Sequence, residues 1–386
     1  MASGPRKKRV IVAGLLALSG ALAACTIVDS LKVPETAADS GPPGSGDAGT
    51  KDVFVDPCRH VGFPDPPAQA VGLSGGDTYY FAVDSVDFGL TNDAGVGVGY
   101  NLDNECTCFG TPPDPQSCVP LSQTQKHCDS YGLGIDNAVA QLVNGPAKVG
   151  GYDVQGLAQR ALAKGRNGML VKVDQYSGEA NDSSVTLSFY VSGGPAFADG
   201  GAVGNIAPTF TTADLWTVDQ KSLVGGTDPK KFVSITTTNA YVTDGVLVAT
   251  NLSGVLRLDT TLSLDLKSIS LTGRLVKDAT GAFRIDDGVW AARWATQDAL
   301  RNLGNLGNPS SDGGKICDDP TNYATLKGLV CPSADISSTG PDNTNVACDA
   351  LSMGLHYTAK PATFGAVVNI DTGATSCASI DTQCTN

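Results

Sequence analysis

The chain has 386 residues, 41% hydrophobic, 6% aromatic and 17% charged, with a formal net charge of −13. That sign disfavours nucleic acid as a partner, and equally attraction to anionic lipid heads. Of 39 acidic residues only Glu35, Glu105 and Glu179 are glutamate. Asp serves turns, helix caps and hard-cation ligation, whereas Glu favours helices, so a turn-rich, strand-rich body is expected.

The chain starts with the basic group Arg6, Lys7, Lys8 and Arg9. An apolar run from Val10 to Ala24 follows, broken by Gly14, Ser19 and Gly20, and then Leu22-Ala23-Ala24-Cys25. A charged start, a short apolar stretch and small residues before a cleavage point make an export signal. About 15 apolar residues fall short of the roughly 20 that span a bilayer. The tetrapeptide resembles the lipobox of bacterial lipoproteins. The resemblance implies removal of residues 1–24, a diacylglyceryl group on the Cys25 thiol, acylation of the new amino terminus, and a membrane reached through that lipid anchor. One acyl chain anchors marginally, and two or three hold. Thr26, standing where Asp would favour inner-membrane retention, points the resemblance to the outer membrane. Loss of residues 1–24 removes four basic residues and no acid, taking the formal charge from −13 to about −17. Residues 25–57 then comprise the lipidated cysteine and a flexible tether. Its Gly, Pro, Ser and Asp content over 37–49 has no apolar periodicity, and about 30 such residues reach roughly 30 Å.

Residues 58–386 read as one extracytoplasmic domain. Tyr79–Val83 is strand-like, and Gly95–Tyr100 is glycine-rich. Asp136 opens a predicted helix over Asn137–Val143, stopped by Asn144-Gly145-Pro146. Asp153 caps a second helix, in which Val154, Leu157, Ala158 and Ala161 recur at helical spacing before Gly165. Met169–Val173 and the alternating Val185, Leu187, Phe189 and Val191 form a predicted hairpin. Phe232–Thr237 and Val246–Ala249 add strands. Leu262, Leu264 and Leu266 alternate with polar residues, and the phase then slips to Ile269 and Leu271, so a bulge or tight bend is expected near Lys267-Ser268. Phe283 and Ile285 follow the turn Asp278-Ala279-Thr280-Gly281. Thr296 caps a short predicted helix ending at Gly304. Asn345 caps another, carrying Cys348, Leu351, Ser352 and Leu355, and Thr363–Ile370 is a closing strand. The fold class is α+β and β-rich, with antiparallel sheets, a sandwich-like middle, a few short helices and a disulfide-bonded base.

The chain has 11 cysteines. With Cys25 on lipid, an exported chain would use the other ten as a disulfide framework. Cys58, Cys106, Cys108, Cys118 and Cys128 lie in an early block (58–128). Cys317, Cys331, Cys348, Cys377 and Cys384 lie in a late block (317–386), and the middle (129–316) has none. Five is odd, so full pairing requires a bridge between the blocks. Gaps of one, nine and nine residues among Cys106, Cys108, Cys118 and Cys128 do not suit zinc, which favours two to four.

Asn101, Asp103 and Glu105 place oxygens at every second residue, which share one face in an extended chain. With Asp136 or Asp129 they form a candidate calcium site, although Cys106 stands where an EF-hand loop has glycine. Trp290 and Trp294 suit either sugar stacking or the core. His60, His127 and His356 form no H-E-x-x-H. Gly72-Leu73-Ser74-Gly75-Gly76 has G-x-S-x-G spacing, which a turn explains. Beyond the lipobox, the chain resembles the large cysteine-rich surface lipoproteins of Gram-negative bacteria, a likeness of architecture that implies no activity. The function these features favour is ligand binding or adhesion, with an unknown protein or carbohydrate partner. The alternatives are a structural or accessory part of the envelope, or a secreted hydrolase.

Overall fold

The computed structural model describes residues 60–68, 76–89, 98–107, 117–121, 128–129, 133–147, 153–166, 168–196, 206–257, 263–308, 314–340, 345–370, 377 and 380–384. The export signal, Cys25, the tether, Cys58, Cys108 and His127 lie outside the described residues.

Eleven strands occur among the described residues. They are β1 (Asp77–Asp87), β2 (Gly168–Tyr176), β3 (Asp182–Ser192), β4 (Pro195–Ala196), β5 (Leu215–Asp219), β6 (Ile235–Thr243), β7 (Val246–Arg257), β8 (Ser263–Lys277), β9 (Phe283–Ala295), β10 (Ala350–Pro361) and β11 (Thr363–Val368). Eight of them close a barrel in the order β1-β10-β9-β8-β7-β6-β3-β2, and every neighbouring pair is antiparallel. The expected sandwich-like middle is therefore a barrel wall. Alternation along a strand predicts one buried face for either architecture. What decides is that β1 finds partners on both edges, pairing Tyr80 with Lys172 of β2 and Ala82 with Lys360 of β10. The cysteine blocks also contribute β1 and β10 to this wall.

The barrel is apolar inside. Phe81, Val171, Leu187, Phe189, Trp290 and Tyr357 belong to one buried core. Between such residues, Lys172, Ser188, Thr236, Arg274, Arg293 and His356 alternate outward. This polarity is the reverse of a membrane-spanning barrel, which turns its apolar face to lipid. One outward patch, Ala82, Leu170 and Tyr190, is apolar, and a second sheet covers it. That sheet has the order β11-β5-β4 and brings Trp216, Val218 and Phe364 onto the patch. The expected closing strand is thus β11, which pairs in parallel with β5 and lies outside the barrel.

The hairpin β2–β3 forms as expected. So does the bulge in β8: Lys267 faces Arg293 and Ser270 faces Ala291, which leaves one extra residue in β8, with Ser268 at φ 49°. Helix α1 (Ala138–Leu142) is capped by Asn137 rather than by the expected Asp136, whose carboxyl instead accepts from Leu102 N, and the Asn-Gly-Pro stop is absorbed in a wide π turn (Val143–Ala147). Helix α2 (Val154–Ala163) is capped by Asp153, whose Oδ1 accepts from Gly156 N at 2.9 Å. Helix α3 (Thr296–Gly304) has no side-chain cap, because the Thr296 hydroxyl instead donates to Asp349 O at 3.1 Å. Helix α4 (Pro320–Val330), capped by Asp319, was not expected. The helix expected after Asn345 is strand β10. Leu351, Met353 and Leu355 face the core while Ser352, Gly354 and His356 alternate outward, a period of two that outweighs the i, i+4 match of Leu351 with Leu355.

Cys118–Cys348 joins the early and late blocks across a separation of 230 residues. Cys317–Cys377 and Cys331–Cys384 complete the late block. Cys106 and Cys128 are also disulfide-bonded.

Candidate functional site

The wall of β9 and β10 carries an unusual outward pair. Arg293 lies directly opposite Ser352, and both are buried, at 5% and 0% exposure. They are roofed by segment 101–107 and by the chain around Asp129, Asp136 and Asp335. Arg293 donates to Leu102 O at 2.7 Å and to Ser337 O at 2.6 Å. Asp335 accepts from Ser352 N at 2.8 Å and from the Ser352 hydroxyl. Asp136 Oδ2 accepts from Leu102 N at 2.5 Å, and Asp129 Oδ2 accepts from Thr107 N at 2.6 Å. Three carboxyls thus fasten the segment 101–107 and strand β10 beside one arginine.

Asp129 and Asp136 are close neighbours in this cluster, and two buried carboxyls side by side resist full ionisation. Burial pushes the Asp129 carboxyl up to about 7, and the charges of Asp103 and Asp335 push the same way against the Thr107 amide. Asp136 is raised well above the usual carboxylate range, first by burial and then by Asp103, Asp129 and Asp335. Paired carboxyls of this kind can do acid–base chemistry. Here Asp136 is only 2% exposed, and a backbone amide already occupies one of its oxygens. What the arrangement does chemically is hold a proton near neutral pH and tie down a loop.

The expected calcium residues fare unequally. Asp103 and Asp136 do meet, with Asp129, in this cluster. Asn101 and Glu105 do not present a shared oxygen face, because the stretch is a succession of turns with Asn104 at φ 63°. Asn101 Oδ1 accepts from Asn104 N at 2.6 Å, its amide reaches Glu105 O at 2.9 Å and His60 Nδ1 at 2.8 Å, and Asp103 Oδ1 accepts from Glu105 N at 2.9 Å. Among the described residues no three carboxylates, imidazoles or thiols are gathered around one point. In this loop Asn101 Oδ1 and Asp103 Oδ1 already accept from the loop's own amides.

The sugar-stacking expectation is also corrected. Trp290 and Trp294 are both 2% exposed. Trp290 meets Phe189 edge-on at 4.8 Å inside the barrel, and Trp294 Nε1 donates to Asn302 Oδ1 at 3.3 Å. Sequence reasoning missed Asp335 and Arg293. The signal for Arg293 was present, as a lone charge inside Trp290-Ala291-Ala292-Arg293-Trp294. No known protein family, no curated protein and no solved structure matches the chain.

Proposed function

We propose that the chain is an exported lipoprotein, held to a bacterial outer membrane by lipid on Cys25. Its barrel is a filled scaffold that presents a binding or adhesive surface on disulfide-stitched loops. The observation that carries this reading is the Cys118–Cys348 bridge. Structural disulfides persist in oxidising compartments, and this one pins chain from both blocks beside the β9–β10 wall. Phe189, Trp290 and Tyr357 fill the interior, so a partner meets the outer surface. The acidic field of the mature chain favours a cationic partner, either a basic protein segment or an amino sugar.

Metabolic labelling with palmitate tests the anchor. Wild type should take up label and sediment with membranes, and Cys25→Ser should do neither. A Cys25→Ser chain still in the membrane fraction after a salt wash would overturn the lipoprotein reading. Titration with basic peptides and amino-sugar oligomers, at low and high salt, tests the surface. Salt-sensitive binding to one of them supports it. No binding to either favours the second reading, a structural part of the envelope, which the filled interior suits equally.

A further inference from the structure

Residues 220–234, between β5 and β6, carry Lys221, Lys230 and Lys231 against a single acid, Asp228, in a chain whose net charge is −13. The segment is a loop closed at its neck, where Ser234 N donates to Ser222 O at 2.9 Å. Three bonds fix it to the outside of the barrel. Val191 N donates to Ser222 Oγ at 2.9 Å, the Tyr190 hydroxyl to Pro229 O at 2.7 Å, and Lys172 Nζ to Lys230 O at 3.2 Å. Leu223 and Val233 turn inward and pack on the apolar patch that the barrel shares with the second sheet. Their neighbours Val224 and Phe232 are left in solvent. Val224, at 60%, is the most exposed large apolar side chain among the described residues, and Phe232 is 38% exposed. Gly225 and Gly226 lie along the Phe232 ring, so close that a Cβ on Gly226 would stand 2.3 Å from it. The two apolar side chains therefore share the tip of the loop.

Single exposed apolar residues are ordinary. Here two of them sit together on a fixed backbone, and each of three exposed lysines is within three residues of one. Asp228 offsets only one of those charges: its Oδ1 accepts from Lys230 N at 2.9 Å and its Oδ2 lies 3.6 Å from Lys231 Nζ. An apolar tip flanked by lysines suits the boundary between lipid headgroups and acyl chains, where the apolar part enters and the lysine stems reach the phosphates.

We propose that this loop rests on an anionic phospholipid surface, with Val224 and Phe232 entering the headgroup layer and Lys221, Lys230 and Lys231 meeting lipid phosphates. The net charge of the chain opposes such contact, but charges beyond a Debye length, about 8 Å at physiological salt, are largely screened. The proposal builds on the lipid anchor at Cys25. A tether of about 30 residues would hold the domain within roughly 30 Å of the bilayer, which gives even a weak contact a high effective concentration.

The test is co-sedimentation of the mature chain without acyl groups, begun at Thr26, with vesicles of phosphatidylcholine alone or mixed equally with phosphatidylglycerol. The chain should bind the mixed vesicles, ignore phosphatidylcholine, and be released by salt. Lys230→Gln and Lys231→Gln should each weaken binding about fivefold. Val224→Ser should weaken it with the salt dependence kept, and Lys267→Gln on β8 should leave it unchanged, with unaltered tryptophan fluorescence as the folding control. Failure to bind the mixed vesicles, equal binding to both kinds, or binding that survives loss of both Lys230 and Lys231 overturns the proposal. Self-association without vesicles that Val224→Ser abolishes overturns it in favour of a second copy of the chain. The chain tested lacks Cys25, so a negative result leaves the anchor standing, and palmitate labelling tests that alone.

Discussion

Replacing Cys118 and Cys348 together by Ala should cost this domain a large part of its stability. The bridge closes a loop of 230 residues. Removing that constraint restores roughly 18 cal/mol/K of entropy to the unfolded chain, about 5 kcal/mol at 25 °C. Both cysteines are 2% exposed, and the small cavities left by Ala add about 1 kcal/mol. The local backbone pairing should survive, since Val119 N donates to Val346 O and Cys348 N to Val119 O, each at 2.8 Å. Small domains have only about 5–15 kcal/mol in total, so the variant should sit at the edge of folding. Guanidinium unfolding followed by tryptophan fluorescence measures the loss. The midpoint should fall and the slope m should rise, because the unlinked unfolded chain exposes more surface. A loss below about 1 kcal/mol with m unchanged would refute the claim that this bridge constrains the unfolded chain.

The Asp129–Asp136 pair predicts a pH dependence. The folded chain keeps a proton on Asp129 from the ordinary value of 3.8 up to about 7, where the unfolded chain has lost it. Stability is therefore greatest at the acid end of that window and falls as pH rises through it, by at most about 4 kcal/mol. Asp129→Asn, which holds the same hydrogen bonds without titrating, should flatten the profile, and chemical unfolding at several pH values checks this. Trp290→Ala should cost about 3–5 kcal/mol by emptying the barrel beside Phe189 and Tyr357, read as a lower melting temperature. Gly354→Ala would set a Cβ 1.7 Å from Val98 O. It should lift the chain at 98–101 off β10, seen as faster amide exchange at Asn101 and Asp136, whose amides bond to Val61 O and Tyr100 O. Arg293→Met should leave Leu102 O and Ser337 O without that donor and destabilise by about 2–4 kcal/mol.

Local signals in the sequence carried far. The cap Asp153, the β2–β3 alternation and the phase slip at Lys267-Ser268 each follow from residues within a few positions of one another, whereas the helix expected to open at Asp136 is capped one residue later, by Asn137. Period-two alternation also marked β10, but Asn345 and the Leu351–Leu355 spacing mimicked a capped helix over the same residues. Closure was not legible, because an alternating strand has the same pattern in a sandwich as in a barrel, and only the pairing of β1 with β10 distinguishes them. The candidate site was half legible. Asp103 and Asp136 stand out near cysteines, whereas Asp335 meets Ser352 and Arg293 meets Leu102 across chain separations that no local pattern records.

The pairing of β1 with β10 also sets an order in time. A chain emerges amino terminus first, at about 5–20 residues per second. From β1 to the end of β10 is roughly 280 residues, so β1 waits about 15–60 s for its second partner to be made. Until then the growing sheet has two open edges, the templates on which chains aggregate. Contacts this distant in sequence also make for slow folding. The last neighbour of β1 thus arrives only after the other barrel strands have been made, and a chain truncated before residue 350 would keep its apolar inner face in an unclosed sheet.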